Sequence, residues 1–449
     1  MNKRVSSLLL ASLLAVFSLL SACGGNSGNS ENAGDKNTTN NGGSNKQVKI
    51  SYLDPLPSPQ RTEMMQSLID KFESENPDIK VEYMSVPWEE AHTKWMAMGA
   101  SKTLPDVISI DDTSLAGLAA AGYITSLQSY YDNWSEKENL TEAAKQARNK
   151  YNGEVYAIPD AFLLQGLFIR SDWFKEKGLP ETIETWDDYF KLAEVLTDES
   201  KNRYGISFRG GAHGIIRAME YVMAAVHADS WFDEDGKSIL YRPEAKEAFK
   251  RFYDLYLNGY APKESVNWGF NEMVQGFMNG QAGILNQTPE VIAVAEENME
   301  PGTWNVVPMP KSDDGKRYIF WGFTAAYAIA SNSEHKDAAW KFIEFLSSPE
   351  NNLEYSKKST SIPIFKQNLE DPFFSSGPIA GYAGSMADSN IVFAGPPSHL
   401  TTLSEFTGSF AVQETQKYMM GAQSLDETVE HLADYLTKEQ TEYLKNNPQ

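Results

Sequence analysis

The chain has 449 residues, 61 of them acidic against 39 basic, for a formal net charge of -22 at pH 7. This balance argues against nucleic acid, polyphosphates or an anionic lipid surface as partners, all of which are bound through lysine and arginine, and points to a neutral or small ligand. The only cysteine is Cys23, so disulfides, thiolate catalysis and a CxxC metal site are excluded from the folded body, and no cofactor or metal is expected.

Lys3 and Arg4 precede the apolar run VSSLLLASLLAVFSLLSA, which small residues close. This is the three-part layout of a secretory signal, predicted over residues 1–22. Ser6, Ser7, Ser12, Ser18 and Ser21 interrupt the run, which sits at the lower limit of the about 18 to 20 residues needed to span a bilayer, so a transmembrane anchor is not expected. Leu20-Ser21-Ala22-Cys23 resembles the lipobox of bacterial lipoproteins, which implies cleavage before Cys23 and a diacylglycerol on its thiol. Two acyl chains suffice for stable anchoring, so the mature protein is expected to stay at the cell membrane. Gly24 to Gln47 is almost wholly Gly, Asn, Ser, Thr and charge; it cannot bury a core and reads, with Cys23, as a lipidated flexible tether over residues 23–47.

The remaining chain, roughly 400 residues, exceeds the size at which single cores stop growing, which predicts two domains. Val48 to Leu53 alternates as a strand; Met65, Leu68, Ile69 and Phe72 fall at helical spacing; Ile79 to Val86 reads as a strand again. A helix around Ala91 to Ala100, a strand from Asp106 to Ile110 and a helix from Ser114 to Ala121 follow. Such alternation predicts an α/β fold with a parallel sheet whose ligands bind beyond the carboxyl ends of its strands. The loops there are Asp54-Pro55-Leu56, Pro87-Trp88-Glu89 and Asp111-Asp112-Thr113, one wall of a cleft.

The middle of the chain repeats this pattern. Thr185 to Asp188 has capping-box spacing before a helix bearing Tyr189, Leu192, Ala193 and Leu196. Tyr204 to Phe208 reads as a strand ending at Arg209-Gly210-Gly211-Ala212-His213-Gly214, with a helix beyond. Pro243 to Leu257 is predicted as a helix stopped by Gly259, and Ala282 to Leu285 as a strand ending in Asn286-Gln287, after which Thr288 caps a helix begun by Pro289. These strand ends form the opposite wall.

Leu104 to Val107 with Ala121 to Leu127, Tyr151 to Pro159, FIRSDWFKEKGLPETIETWDDYFKLAEVLT (Phe168 to Thr197) and WGFTAAYAIASNSEHKDAAWKFIEFLSSPENNLEYSKKSTSIP (Trp321 to Pro363) occur in this order behind the lipobox. As a set they resemble the extracellular solute-binding proteins of bacterial ABC sugar importers, the family that includes maltose-binding protein. The resemblance implies a two-lobed periplasmic-binding-protein fold of the type II kind, each lobe a mostly parallel sheet flanked by helices. It implies three hinge crossings, placed near Ile158 to Ala161, Phe323 to Ala328 and Ile362 to Lys366. Residues 48–158 plus 326–364 would form the N-lobe and 159–325 plus 365–449 the C-lobe. The implied function is that of a monomer that closes on a sugar or oligosaccharide and delivers it to a membrane permease.

A sugar offers apolar C–H faces to aromatic rings and vicinal hydroxyls to planar polar groups. Trp88, Trp268, Phe270, Trp321 and Phe323 are the aromatic candidates at strand ends; Asp111, Asp112, Asp160, Arg209 and Gln287 are the polar ones, with Asp54 weaker. One of Asp111 and Asp112 could instead cap the helix after Ser114, Arg209 could pair with a surface acid, and His213 reads as structural. The neighbours of Arg209, Gly210 and Gly211, would let a ligand approach closely.

Catalytic patterns are incomplete. Gly236-Lys237-Ser238 matches the end of a phosphate-binding loop, but Trp231 stands where that loop needs glycine, and the same Trp231 blocks a calcium-loop reading of Asp233, Asp235 and Gly236; both read better as a hairpin turn. HExxH is absent and no GxSxG follows a buried strand. The expectation is a binding protein rather than an enzyme, against a cell-surface glycosidase, a binder of a non-sugar solute such as a peptide, or an adhesin as alternatives.

Overall fold

The computed structural model describes residues 47–55, 59–145, 150–323, 325–385 and 390–447. Cys23, the export signal and all of the tether but Gln47 lie outside them. Among the described residues no helix is long and apolar enough to cross a membrane.

The first sheet holds five strands in the order Ile79–Ser85, Val48–Asp54, Val107–Ile110, Ala326–Ile329 and Ile158–Pro159. The first three are mutually parallel, as the strand-helix-strand alternation predicts. The helix Pro59–Glu75 turns Met65, Leu68, Ile69 and Phe72 inward onto this sheet. Phe342 of the Lys336–Leu346 helix fills the same side, its ring 5.7 Å from that of Tyr52 and 5.0 Å from that of Phe72.

The second sheet runs Asn305–Val307, Gly166–Ile169, Ala282–Gln287 and Tyr204–Ile206. Here the expected parallel character fails, because Gly166–Ile169 is antiparallel to both its neighbours. Ala326–Ile329 does the same in the first sheet. The reason is common to both. Each of these strands starts opposite a strand end at the cavity edge, Gly166 opposite Gln287 and Ala326 opposite Ile110, and runs away from it, whereas its neighbours run toward it.

Helix boundaries follow from local chemistry. Thr185 and Asp188 form the predicted capping box for Trp186–Leu196, and Pro243–Leu257 opens on its proline and stops before Gly259 at φ 77°. The helix expected to begin at Pro289 begins instead at Val291. The Thr288 hydroxyl donates to Glu290 Oε1 at 2.6 Å and lies 2.8 Å from Gln287 Oε1, so it is engaged locally instead of capping. Asp233 N donates to Lys237 O across Gly236, the turn expected there.

The three predicted crossing segments lie side by side. Asp160 N donates to Ala325 O at 3.1 Å, and Phe162 and Ile362 exchange two backbone hydrogen bonds of 2.8 and 3.1 Å. Asn352 Nδ2 donates to Asp160 O at 2.6 Å. The Asp160 carboxylate, buried among these strands, accepts from Tyr355 Oη at 2.5 Å and from Ala161 N and Ala325 N. Arg61 ties the cluster to the first strand, donating to Asp54 Oδ2 at 2.7 Å and lying 3.9 Å from Asp160.

Burial pushes the Asp160 carboxyl up from 3.8 to about 6, against the opposing pull of Arg61 and Tyr355. A raised acid pKa means that the fold favours the protonated form. Its stabilisation is complete below the unfolded value near 3.8 and is lost as pH rises through about 6. We therefore expect wild-type stability to fall relative to Asp160→Asn by about 2 to 3 kcal/mol between pH 4 and pH 6.5. Urea titrations of both proteins across that range measure this, and parallel curves would refute the shift.

Candidate functional site

The parallel strands of the first sheet deliver their carboxyl ends to one edge, and the turns there form one wall of a cavity of about 420 Å³. Pro55, Trp88, Glu89, Asp111 and Asp112 line it. Trp88 is not in a loop, as expected, but is the first residue of the helix Trp88–Ala100, where its half-buried ring faces the cavity. Asp111 is buried, and its Oδ1 accepts from Thr113 Oγ1 at 2.7 Å and Ser114 N at 2.6 Å, so this carboxylate also organises the turn before the Leu115–Ala120 helix.

The opposite wall comes from the second sheet and its helices. Gln287 closes the strand Ala282–Gln287, whereas Phe270, expected at a strand end, opens the helix Phe270–Met278 after the Lys263–Asn267 turn. Arg209 follows the strand Tyr204–Ile206 on a tightly wound loop. A Cβ on Gly210 would lie 2.4 Å from Val266 O and one on Gly211 2.8 Å from Trp268 O. These glycines thus admit the neighbouring backbone, not a ligand as expected. Asn271 Nδ2 reaches across the cleft to Glu89 Oε1 at 3.3 Å, and Tyr355 and Ser361 complete the lining beside the hinge.

The C-lobe wall carries two guanidinium groups, Arg209 buried and Arg217 half-buried. Arg217 lies on the apolar helix Ile215–Val226, where it donates to Gln287 Oε1 at 3.4 Å. Gln165, with its amide oxygen turned to Arg217, accepts at 3.1 and 3.2 Å while its nitrogen donates to Asn286 Oδ1 at 2.7 Å. Burial lowers the pKa of Arg217, and Glu220 and Glu290 offset the loss. Glu220, itself raised by burial, accepts from Asn286 Nδ2 and Phe320 N at 2.9 Å each. Arg209 differs. Burial and the adjacent Arg217 bring it down to about 9, and its Nε and Nη2 have no hydrogen-bond partner. His213 is held neutral, its pKa pushed down by burial to about 3, and its Nδ1 lies 3.0 Å from Thr407 Oγ1. Among the described residues no group of three His, Cys, Asp or Glu side chains is placed to hold a metal ion.

Of the candidates from the sequence, Trp88, Asp111, Asp112, Arg209, Phe270 and Gln287 line one cavity. Asp160 lies outside it, in the hinge, where its oxygens are taken by Tyr355 and backbone amides. Trp268 also lies outside: it is 8% exposed and packs its indole so closely against Gly276 that a Cβ there would approach within 2.6 Å. Indole area alone does not distinguish a platform from a core anchor. Trp321 and Phe323 lie on the strand Arg317–Phe323, and their side chains are outside the described residues. Asp54 is fully buried beneath the wall, bound to Arg61.

Arg217, Gln165 and Glu290 were missed. The signal was present for the first two: a cation inside the apolar helix IIRAMEYVMAAV and a lone amide in the apolar run FLLQGLFI are both costly to bury without a role.

Residues 58–353 match the model of the bacterial extracellular solute-binding protein family. The maltotriose-binding protein of Pyrococcus abyssi is 26% identical over 328 residues, 72% of this chain and 68% of that one. A substrate-binding protein of Listeria monocytogenes in complex with cycloalternan superposes with a TM-score of 0.75 at 21% identity, over 87% of this chain and 98% of that one. A maltose-bound protein of T. maritima gives 0.76 at 21% identity, over 87% and 99%. The two-lobed architecture is common to them and to this protein. With two sheets facing one cleft and a match over most of its folded body, the chain belongs to the bacterial extracellular solute-binding proteins.

Proposed function

We propose that this protein captures a sugar or oligosaccharide in the cleft between its lobes and delivers it, chemically unaltered, to the permease of an ABC importer. The observation that carries the reading is a cavity of about 420 Å³, within the range of small-ligand sites, in which strand ends and helix starts on its two walls supply rings and planar polar groups together. Trp88 and Phe270 offer faces to C–H patches; Asp111, Asp112, Arg209 and Gln287 offer forks to vicinal hydroxyls. The maltotriose-binding relative and the two sugar complexes of the same fold support the ligand class.

Binding follows a population shift. Contacts to both walls are complete only when the lobes meet, so ligand favours closure, and the permease would read the closed shape. A micromolar ligand supplies about 8 kcal/mol for this. Residues 1–22 would direct export, and a diacylglycerol on Cys23 would hold the monomeric body at the membrane by its tether.

Calorimetric titration against a glycan panel tests the reading, with saturable one-to-one binding expected and the bound glycan recovered intact. Glycan-dependent product forming in proportion to protein would overturn it in favour of a glycosidase. Because Trp88 is only half-buried, Trp88→Ala should weaken binding by about 2 kcal/mol, some thirtyfold, with an unchanged melting temperature. A lower melting temperature with unchanged affinity would remove Trp88 from the site. Cys23→Ala should release the protein from cells without altering affinity, and a wild-type protein left unlabelled by radioactive fatty acid would refute the anchor.

A further inference from the structure

We infer, on the basis of the proposed sugar-binding role, that the natural ligand bears a carboxylate, as in a uronic acid unit, and that Arg209 receives it on the C-lobe wall. Arg209 is 9% exposed and lines the cavity. Its Nε and Nη2, the adjacent donors that match the two oxygens of a carboxylate side-on, are buried without a partner.

A buried guanidinium without a counter-ion is among the costliest features a protein can hold. Elsewhere this chain avoids it: Arg217, in the same wall, is balanced by Glu220 and Glu290 and bound by Gln287, and Arg61 is bound to Asp54. The acids that act on Arg209 are Glu89 and Glu272, both exposed at the cleft rim, where solvent screens them. Adjacent His213 is neutral and adds no charge.

A hydroxyl would satisfy the donors but leave the charge uncompensated, whereas a carboxylate does both. One unbalanced cation also fits a monoanion better than a phosphate dianion. The facing wall sets the orientation: Asp111 and Asp112 would repel an anion and accept from hydroxyls, so the acid group belongs at the Arg209 end and the rest of the ring toward the aspartates. The net charge of -22 disfavours anions in general; this cation inverts that preference at one point inside the cleft.

Calorimetric titrations with digalacturonate, a glucuronate disaccharide and a mannuronate disaccharide, each beside its methyl ester, with maltotriose and a sugar phosphate as controls, test this. At least one acid should bind about thirtyfold or more tightly than its own ester, and Arg209→Gln should abolish that difference. Because this substitution removes an unpaired buried charge, the unliganded variant should melt no lower than wild type. Arg209→Lys, which keeps the charge and loses the fork, should retain part of the preference. Equal binding of acid and ester, tighter binding of maltotriose or the phosphate, or an unaltered preference in Arg209→Gln would overturn the inference and leave the sugar-binding role standing. Folded protein that binds maltotriose but no acid would do the same, and folded protein that binds none of the panel would overturn both.

Discussion

The buried cluster of Asp54, Arg61, Tyr355 and Asp160 is the joint on which both lobes depend. Its members come from the first strand, the first helix, the Pro349–Ser359 helix and the first crossing segment. Each carboxylate accepts several donors, so none of these elements can shift without leaving a charge unpaired in a low-dielectric setting. The three segments expected to cross between lobes run past this point with backbone hydrogen bonds between them. These contacts hold the segments together beside the cavity edge.

The cleft gathers a different set of polar atoms. In the hinge, the Asp160 oxygens are saturated by donors, whereas Nε and Nη2 of Arg209, Nε of Arg217, Nε2 of Gln287 and Oε2 of Glu290 are buried there without partners. A fold gains nothing from such atoms, because each carries the full cost of desolvation. Their collection around one cavity supports the proposed placement of a polar ligand there. Buried atoms without partners thus gather around the cavity, while at the hinge the Asp160 oxygens are satisfied and Asp54 Oδ1 is not.

Both sheets depart from simple parallel order for the reason that also makes the site. A strand that begins at the cavity edge opposes its neighbours there, as Gly166–Ile169 and Ala326–Ile329 do. The same geometry brings Gln165, at the start of the former, beside Arg217 and into the cavity. Topology thus delivers polar groups to the wall from the starts of the returning strands as well as from the ends of the parallel ones.

What the sequence determined by itself is local. Alternation and helical spacing specified the elements from Val48 to Ile110, the capping box at Thr185 and the helix Pro243–Leu257, because these depend on neighbours within a few residues. Strand-end logic also brought Trp88, Asp111, Asp112, Arg209 and Gln287 to one cavity, since parallel strands direct their carboxyl ends to one edge; Phe270 reaches the same cavity from a helix start that follows no strand. Only tertiary structure decided between Trp88 and Trp268, one half-buried at the cavity and one packed against Gly276, because burial depends on segments remote in the chain. It alone placed Asp160 in the hinge, and showed that Gly210 and Gly211 make room for the 265–268 backbone. The decisive contrast between Arg209 and Arg217 belongs to the same class: whether a buried cation has a counter-charge is set by which distant acids the fold brings to it, and no spacing along the chain records that.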